Sequence, residues 1–235
     1  MNDNFRIRSD YTARSGNQTF DTDDRTFWDP ARILTGAVYQ YAVYQWAQEL
    51  LQDVQAPRVL DVGCGPATKL VNILSTHADV HGIDQPNAVN YCRQTHPVGQ
   101  FYADDFEKPE LTLDIQFDLI ICSDVIEHMD NPDVLLTYIK RFSGPATEIL
   151  LSTPDRDRYR GKACTYSPKP EHVREWAADE FLEYLRSRDF QIIESRHLPP
   201  VRTGLNLLTF KQLAYQYAHF RPYNYSFAAL CKRAN

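Results

Sequence analysis

The sequence predicts an α/β fold built on a parallel sheet, and three observations carry that prediction. Short apolar runs alternate with helix-period segments, the arrangement of parallel strands joined by right-handed crossovers. Phe117-Asp118-Leu119-Ile120-Ile121-Cys122 is almost continuously apolar, as a central parallel strand buried on both faces requires. Val59-Leu60-Asp61-Val62-Gly63-Cys64-Gly65-Pro66 is an apolar run with one acid that breaks into two glycines spaced by one residue, ahead of helix-compatible sequence. A strand ending in Gly-x-Gly lets the backbone approach a ligand closely, because no Cβ stands in the way.

Residues 1–55 read as an N-terminal arm and helix able to serve as a lid, and 56–235 as the main domain. The first thirty residues are polar, with Asp21, Asp23, Asp24 and Arg25 ahead of Phe27-Trp28; Tyr11 and Phe20 add further aromatic anchors. Ile33, Leu34, Val38, Tyr41, Ala42, Trp46, Leu50 and Leu51 recur at spacings of three and four, which predicts a helix over 31–52. Pro57 lies beyond its end, and a first strand is expected over 58–62. A helix over 67–76, a strand over 78–83, a helix near 86–95 and a short strand over 100–102 follow. Then come the central strand 117–122, a helix over 132–142, a strand over 148–152, a helix over 177–188 and strands over 190–195 and 225–232. Segment 196–224 breaks the alternation. Its Pro199, Pro200 and Pro222 and its Tyr215, Tyr217, Phe220 and Tyr223 read as an aromatic-rich insertion, shaping a substrate pocket or packing as a helix on the core.

Bulk properties bound the function. The 235 residues suit one domain, and 43% hydrophobic content supports a sizeable core. A net charge of −6 argues against nucleic acid or an anionic membrane as the main partner. The first thirty residues lack the apolar stretch of a signal peptide, and no apolar run approaches the roughly 20 residues of a membrane span. Cys64, Cys92, Cys122, Cys164 and Cys231 are scattered and odd in number, so reduced thiols are expected, with neither a disulfide framework nor a zinc site. The expectation is a cytoplasmic monomer or homodimer acting on a small molecule.

The glycine turn narrows the ligand. A nicotinamide dinucleotide fold needs Gly-x-Gly-x-x-Gly, and Thr68 stands where the third glycine belongs. A phosphate-cradling P-loop needs Lys followed by Ser or Thr, and Lys69 precedes Leu70. Asp61 before the turn can face a cation, which suits a ligand carrying carboxylate, ammonium and sulfonium together, while the helix N-terminus offers N–H groups to its polar end. Asp84 ends the second strand about 20 residues beyond the turn, where a ribose-binding acid belongs, although Asp is also a good helix N-cap. Asp105-Phe106 offers a carboxylate and a ring for a purine, with Asp104 as an alternative acceptor and an acidic surface turn as the plain reading. Cys122-Ser123-Asp124-Val125-Ile126-Glu127-His128 leaves the central strand beside these ends.

The chain resembles the class I S-adenosylmethionine-dependent methyltransferases, in particular the small-molecule group related to those of ubiquinone synthesis. The matching pieces are LDVGCGPAT (60–68), HGID (81–84), ADDFEKP (103–109), FDLIICSDVIEHMDNPDVLL (117–136) and HVREW (172–176). The resemblance implies a Rossmann-like, seven-stranded, mostly parallel sheet with one antiparallel strand and helices on both faces. It implies S-adenosylmethionine as cofactor, held by Asp61, Gly63, Cys64, Gly65, Asp84, Asp105, Phe106 and Ser123. Ala67-Thr68 departs from the pattern, since many relatives carry a third glycine there. Methyl transfer from a sulfonium needs the acceptor positioned and, for a hydroxyl, its proton removed; histidine is the natural base at neutral pH. His128 and His172 are the candidates, each with a rival structural role. The expected acceptor atom is a hydroxyl oxygen; nitrogen, carbon or protein acceptors, or a non-catalytic cofactor-binding module, are the alternatives. No metal-ligand cluster stands out along the chain. Arg156, Arg158, Arg160 and Lys162 form a local basic run suited to an anionic acceptor group or to a solvated loop.

Overall fold

The computed structural model describes residues 4–14, 33–34, 36–202 and 207–234. β1 (Arg58–Val62), β2 (Asp79–Asp84), β3 (Gln100–Ala103), β4 (Leu119–Ser123), β5 (Glu148–Pro154), β6 (Phe190–Leu198) and β7 (Ser226–Arg233) form one seven-stranded sheet in the order β3-β2-β1-β4-β5-β7-β6. The first five strands pair in parallel, and β7 runs antiparallel to both β5 and β6. The chain winds outward through β2 and β3, then returns to place β4 against β1. That reversal opens a crevice at the carboxyl ends of β1 and β4.

Side-chain alternation sends each strand into two cores. Leu60 and Val62 of β1 join Ile120 and Cys122 of β4 beneath α3 (Pro132–Arg141) and α4 (Ala178–Arg186). Val59 joins Leu119 and Ile121 beneath α1 (Tyr41–Leu51) and α2 (Pro86–Thr95). Asp61 follows Val59 on that second face and is fully buried, a carboxylate set in an apolar strand. α3 starts where the sequence signals it, with Asn131 accepting from the Asp133 N–H and Pro132 in the first turn.

Three segments differ from the predicted spans for physical reasons. The helix expected over 31–52 is interrupted: residues 33, 34 and 36 are helical, with Ala37 N–H donating to Ile33 O, and α1 restarts at Tyr41 after Gln40 adopts φ 52. Residues 38–40 instead pair with 200–202: Gln40 N–H donates to Pro200 O and Arg202 N–H to Val38 O, and Tyr39 bridges Val201. The helix expected over 67–76 includes a π-helical turn, Leu70–Leu74, of the kind that recurs at functional sites. β6 extends to Leu198 by pairing with β7, and α5 (Leu207–Ala218) makes part of the insertion helical.

Residues 4–14 lie along the C-terminal half of the sheet. Trp176 Nε1 donates to Phe5 O, Arg14 N–H to Val173 O, and Tyr11 is buried. Phe20, the 21–25 charge cluster, Phe27 and Trp28 lie outside the described residues. All five cysteines are free thiols, with Cys64 and Cys122 buried as small apolar groups. Among the described residues, no helix is long and apolar enough to cross a membrane.

Candidate active site

The turn after β1 is built for close approach. Gly63 sits at φ +86, and a Cβ there would lie 2.2 Å from Val125 Cγ2, so only glycine fits between the β1 and β4 ends. Gly63 and Cys64 both donate their N–H to Ile83 O, and Gly65 donates to Asp84 Oδ2 at 2.8 Å. Asp84 Oδ1 accepts from Gln85 N–H at 2.8 Å. Each carboxylate oxygen has a second lone pair, so Asp84 clamps the loop and still has capacity for two ligand hydroxyls. Burial raises the Asp84 carboxyl to about 6, against the pull of those two backbone hydrogen bonds.

Asp61 Oδ2 accepts from Tyr44 Oη at 2.7 Å, while Oδ1 is buried with no hydrogen-bond partner. Burial pushes the Asp61 carboxyl up, and the nearby Lys69 opposes it. Lys69 lies 5.2 Å from the Tyr44 ring centre and donates to Gly36 O at 2.7 Å. Burial depresses its ammonium even though Asp61 and Asp124 favour the charge. An orphaned carboxylate oxygen costs on the order of 1–3 kcal/mol, and a cationic or N–H-bearing ligand would recover that.

Ser123 ends β4. Ser152 Oγ donates to Asp124 Oδ1 at 2.9 Å, which leaves Ser123 Oγ to donate to Ser152 Oγ at 2.8 Å. Gln40 Nε2 donates to Asp124 Oδ2 at 2.9 Å, tying the 38–40 segment to the β4 end. Asp124 has φ 54, a left-handed conformation that Asp tolerates better than most residues.

Two histidines meet beyond that turn, with ring centres 4.8 Å apart and planes at 87°. His172 is buried and its Nδ1 lies 2.7 Å from Glu175 Oε1. Burial alone would raise Glu175, but hydrogen bonds from His172 and Arg160 prevail and hold it at about 2. An ionised Glu175 can only accept, so Nδ1 of His172 carries the proton and Nε2 is its basic nitrogen. Burial lowers the His172 pKa despite Glu175, favouring the neutral ring. Nδ1 of His128 lies 2.7 Å from Glu171 O, a carbonyl that only accepts, which gives His128 the same tautomer. Glu127 is buried beside them, its Oε2 accepting from Thr153 Oγ1 at 3.3 Å and its Oε1 4.0 Å from His172 Nε2. Burial, then the charge of Asp124, pushes the Glu127 carboxyl well up.

Many of these groups face one cavity of about 430 Å³, while Asp61 and Glu175 are buried behind its lining, next to Tyr44 and His172 respectively. Of the residues singled out in the sequence, Gly63, Cys64, Gly65, Ser123, His128 and His172 line it. Asp84 lies one strand away, its C=O accepting from Asp104 N–H. Asp104 is absorbed in loop structure: its oxygens accept from the N–H groups of Asp105, Glu110 and Leu111 and from Tyr138 Oη. Asp105 is exposed and accepts from Glu107 N–H, while Phe106 is half-buried with its ring 6.1 Å from Tyr138. The arginines of the basic run are engaged within the chain. Arg156 pairs with Glu180 at 2.7 Å, Arg160 with Glu175 at 3.1 Å, and Arg158 donates to Asn224 O.

Sequence reading assigned no site role to Gln40, Tyr44, Lys69, Asp124, Glu127 or Glu175. Tyr44, Gln40 and Lys69 sit in helical or turn segments whose pattern reports only packing. Glu127, His128 and His172 gather so that one potential ligand atom from each lies within 4.8 Å of the others, a cluster that residues 127 and 172 hide by their separation in the chain.

The sheet order, the glycine turn and the acids at the strand ends define a class I S-adenosylmethionine-dependent methyltransferase fold. The chain belongs to the methyltransferase domain family, whose model matches residues 37–195. Among curated relatives, the ubiquinone biosynthesis O-methyltransferase of Bordetella avium is 27% identical over 118 residues, covering 48% of this chain and 49% of that protein. That of Hahella chejuensis is 25% identical over 154 residues, covering 59% and 65%. The chain thus spans about half to two thirds of the length of these relatives. Among solved structures, the methyltransferase of a Haloferax volcanii activator complex superposes with TM-score 0.64 at 13% identity, covering 84% of this chain and 90% of that one. Magnesium protoporphyrin IX methyltransferase from Synechocystis, with S-adenosylhomocysteine bound, gives 0.55 at 15%, covering 83% of each. At these identities the structures establish the fold alone.

S-adenosylmethionine is the cofactor of this class, and the residues present fit it. The orphaned Asp61 Oδ1 suits a cationic or N–H donor, Gly63 and Gly65 line the cavity with backbone alone, and Asp84 has lone pairs for ribose hydroxyls.

Proposed function

We propose that this chain transfers a methyl group from S-adenosylmethionine to a hydroxyl oxygen of a small-molecule acceptor. The observation that carries the reading is His172, a neutral imidazole backed by ionised Glu175, on the wall of the cavity that the glycine turn also lines. When bound, the cofactor supplies a methyl group already activated by the sulfonium. Asp84, Asp61, Gly63, Gly65 and Ser123 are the residues assigned to hold it, with Asp105 and Phe106 assigned to the purine end. His172 Nε2 accepts the hydroxyl proton, and Glu175 stabilises the imidazolium that results. His128 packs edge-on against the His172 ring and fixes its plane. Tyr159 and Tyr225 stack at 4.0 Å with planes 6° apart along the same cavity, a wall suited to a planar acceptor. The O-methyltransferase names of the curated relatives support oxygen as the acceptor atom.

The test is methyl transfer from radiolabelled S-adenosylmethionine to a panel of phenols, aliphatic alcohols, amines and carbon nucleophiles. Label on phenolic oxygen is expected. His172→Gln is expected to lower kcat by about 10²–10⁴-fold, the range of a lost general base, while S-adenosylhomocysteine affinity stays within about threefold. Label confined to nitrogen or carbon, or full activity in His172→Gln, contradicts the reading.

A further inference from the structure

On the reading that His172 is the base, we infer that the N-terminal arm sets the orientation of its ring, with Tyr11 as the positioning residue. The segment that carries His172, from Arg160 to Ala177, has no strand or helix of its own. A loop holds a side chain less precisely than a helix or strand unless other groups fix it. Residues 5–14, remote in sequence, fix this one. Phe5 O accepts from Trp176 Nε1 at 2.9 Å, and Arg8 N–H donates to Glu180 Oε1 at 3.1 Å. Thr12 N–H donates to Thr165 O at 2.7 Å, and Arg14 N–H to Val173 O at 2.9 Å. Arg8 Nη2 and Arg14 Nη2 donate to Cys164 O and Ser167 O.

Tyr11 connects the arm to the base. Its ring is buried, with the Arg156 guanidinium 5.3 Å from its centre, and its Oη accepts from Glu175 N–H at 2.9 Å. The carboxylate of that same Glu175 holds Nδ1 of His172 at 2.7 Å. On the cavity side, Glu127 O accepts from Val173 N–H and Arg174 N–H, so the loop is clamped between the arm and the turn after β4. Tyr11 is not part of the cavity lining and therefore acts on the ring through Glu175. Without the Tyr11 hydroxyl, the buried Glu175 N–H has no acceptor, and the backbone must shift to find one. That shift draws the carboxylate from Nδ1, loosens the ring and weakens the charge that favours the imidazolium. Glu127 and Asp124 of the β4 turn, Lys169 of the loop and the edge-on His128 ring also face or act on His172, and all stay in place.

The experiment compares the wild-type chain with Tyr11→Phe, which removes one oxygen and keeps the buried ring; far-UV circular dichroism checks the fold. Nitrogen NMR of isotope-labelled histidines reads the tautomer and pKa of His172 with no methyl transfer involved. The pH profile of kcat/KM and titration with S-adenosylhomocysteine complete the set. In Tyr11→Phe the His172 pKa should fall by about half a unit or more, and the acidic limb of kcat/KM should move down with it. Turnover should fall about tenfold to 10²-fold, as for a misplaced catalytic group, while S-adenosylhomocysteine affinity stays within about threefold. In a Glu175→Gln background, Tyr11→Phe should change kcat by less than about twofold, because the route through the carboxylate is already broken. A loss of stability alone would move neither the imidazole signals of the folded protein nor the acidic limb. Unchanged His172 signals and an unchanged limb in folded Tyr11→Phe overturn the inference, as does an undiminished effect in the Glu175→Gln background. Full activity in His172→Gln would instead defeat the base reading, while the imidazole signals would still show whether Tyr11 sets the ring.

Discussion

Ala67 shows how much the turn demands of individual residues. It takes φ 55, a left-handed conformation that suits glycine. Its N–H still donates to Cys64 O, so the turn keeps its shape at a cost in backbone strain. Ala67→Gly should therefore raise the urea midpoint by the equivalent of about 0.5–1 kcal/mol, the left-handed penalty less the entropy glycine adds to the unfolded chain. A lowered midpoint would show that the Ala67 methyl, which is buried, contributes more than its strain costs. Asp84 offers a second test at this scale. Its carboxyl, raised to about 6 by burial, holds a proton in the folded state that an unfolded Asp, near about 3.9, has released. Folding stability should accordingly fall as pH rises from about 4 to about 6, by on the order of 3 kcal/mol from this group. Asp84→Asn should flatten that slope in urea unfolding. Affinity for S-adenosylhomocysteine should change in the opposite sense, strengthening as pH rises through about 6, because the ionised carboxylate is the better acceptor for ribose hydroxyls.

At the scale of elements, the segment between β5 and α4 is organised around one buried carboxylate. Glu175 accepts from Arg160, Ser167 and His172, and its backbone N–H donates to Tyr11 Oη. Arg160→Met removes one partner of a buried charge and should cost about 3–5 kcal/mol in urea unfolding. Because Glu175 is held at about 2, below its ordinary value, its contribution is complete above about pH 4.5 and is lost as pH falls through about 2. An unchanged midpoint in Arg160→Met at neutral pH would show that Ser167 and His172 suffice. The arginine run was visible in the sequence, but its partners were not. Arg156 and Glu180 are separated by most of a loop, and only the folded chain reveals that Arg156 and Arg160 are already paired with carboxylates. The same limit explains the N-terminal helix: the three-and-four spacing over 31–52 reports apolar periodicity, whereas tertiary pairing of 38–40 with 200–202 interrupts it ahead of α1. By contrast, every strand was legible to within a few residues; β1, β4 and β5 are buried parallel strands that leave near-continuous apolar runs, and Gly63 was legible as the glycine at the end of the first of them.

Across the whole molecule, the return of the chain from β3 to β4 brings separate stretches of sequence to one sheet edge. The β1 turn, the β4 end and the loop ahead of α4 supply the walls of the cavity, and residues 36–40 and Pro200 add to them. This convergence explains why Asp61, Gly63 and Ser123 could be grouped from strand ends alone, whereas Lys69 and the Glu127–His128–His172 cluster required the fold. Tyr225, just ahead of β7, and Tyr159 of the single turn Arg156–Tyr159 stack along the same cavity. The central claim is that the crevice binds a sulfonium nucleoside through the glycine turn and the acids beside it. Calorimetric titration with S-adenosylmethionine, S-adenosylhomocysteine and NAD tests it most directly. Micromolar binding of the first two, none of NAD, and at least tenfold weakening in a folded Asp84→Ala variant are the predicted results. Failure to bind either sulfur nucleotide, or equal binding of NAD, would contradict the account.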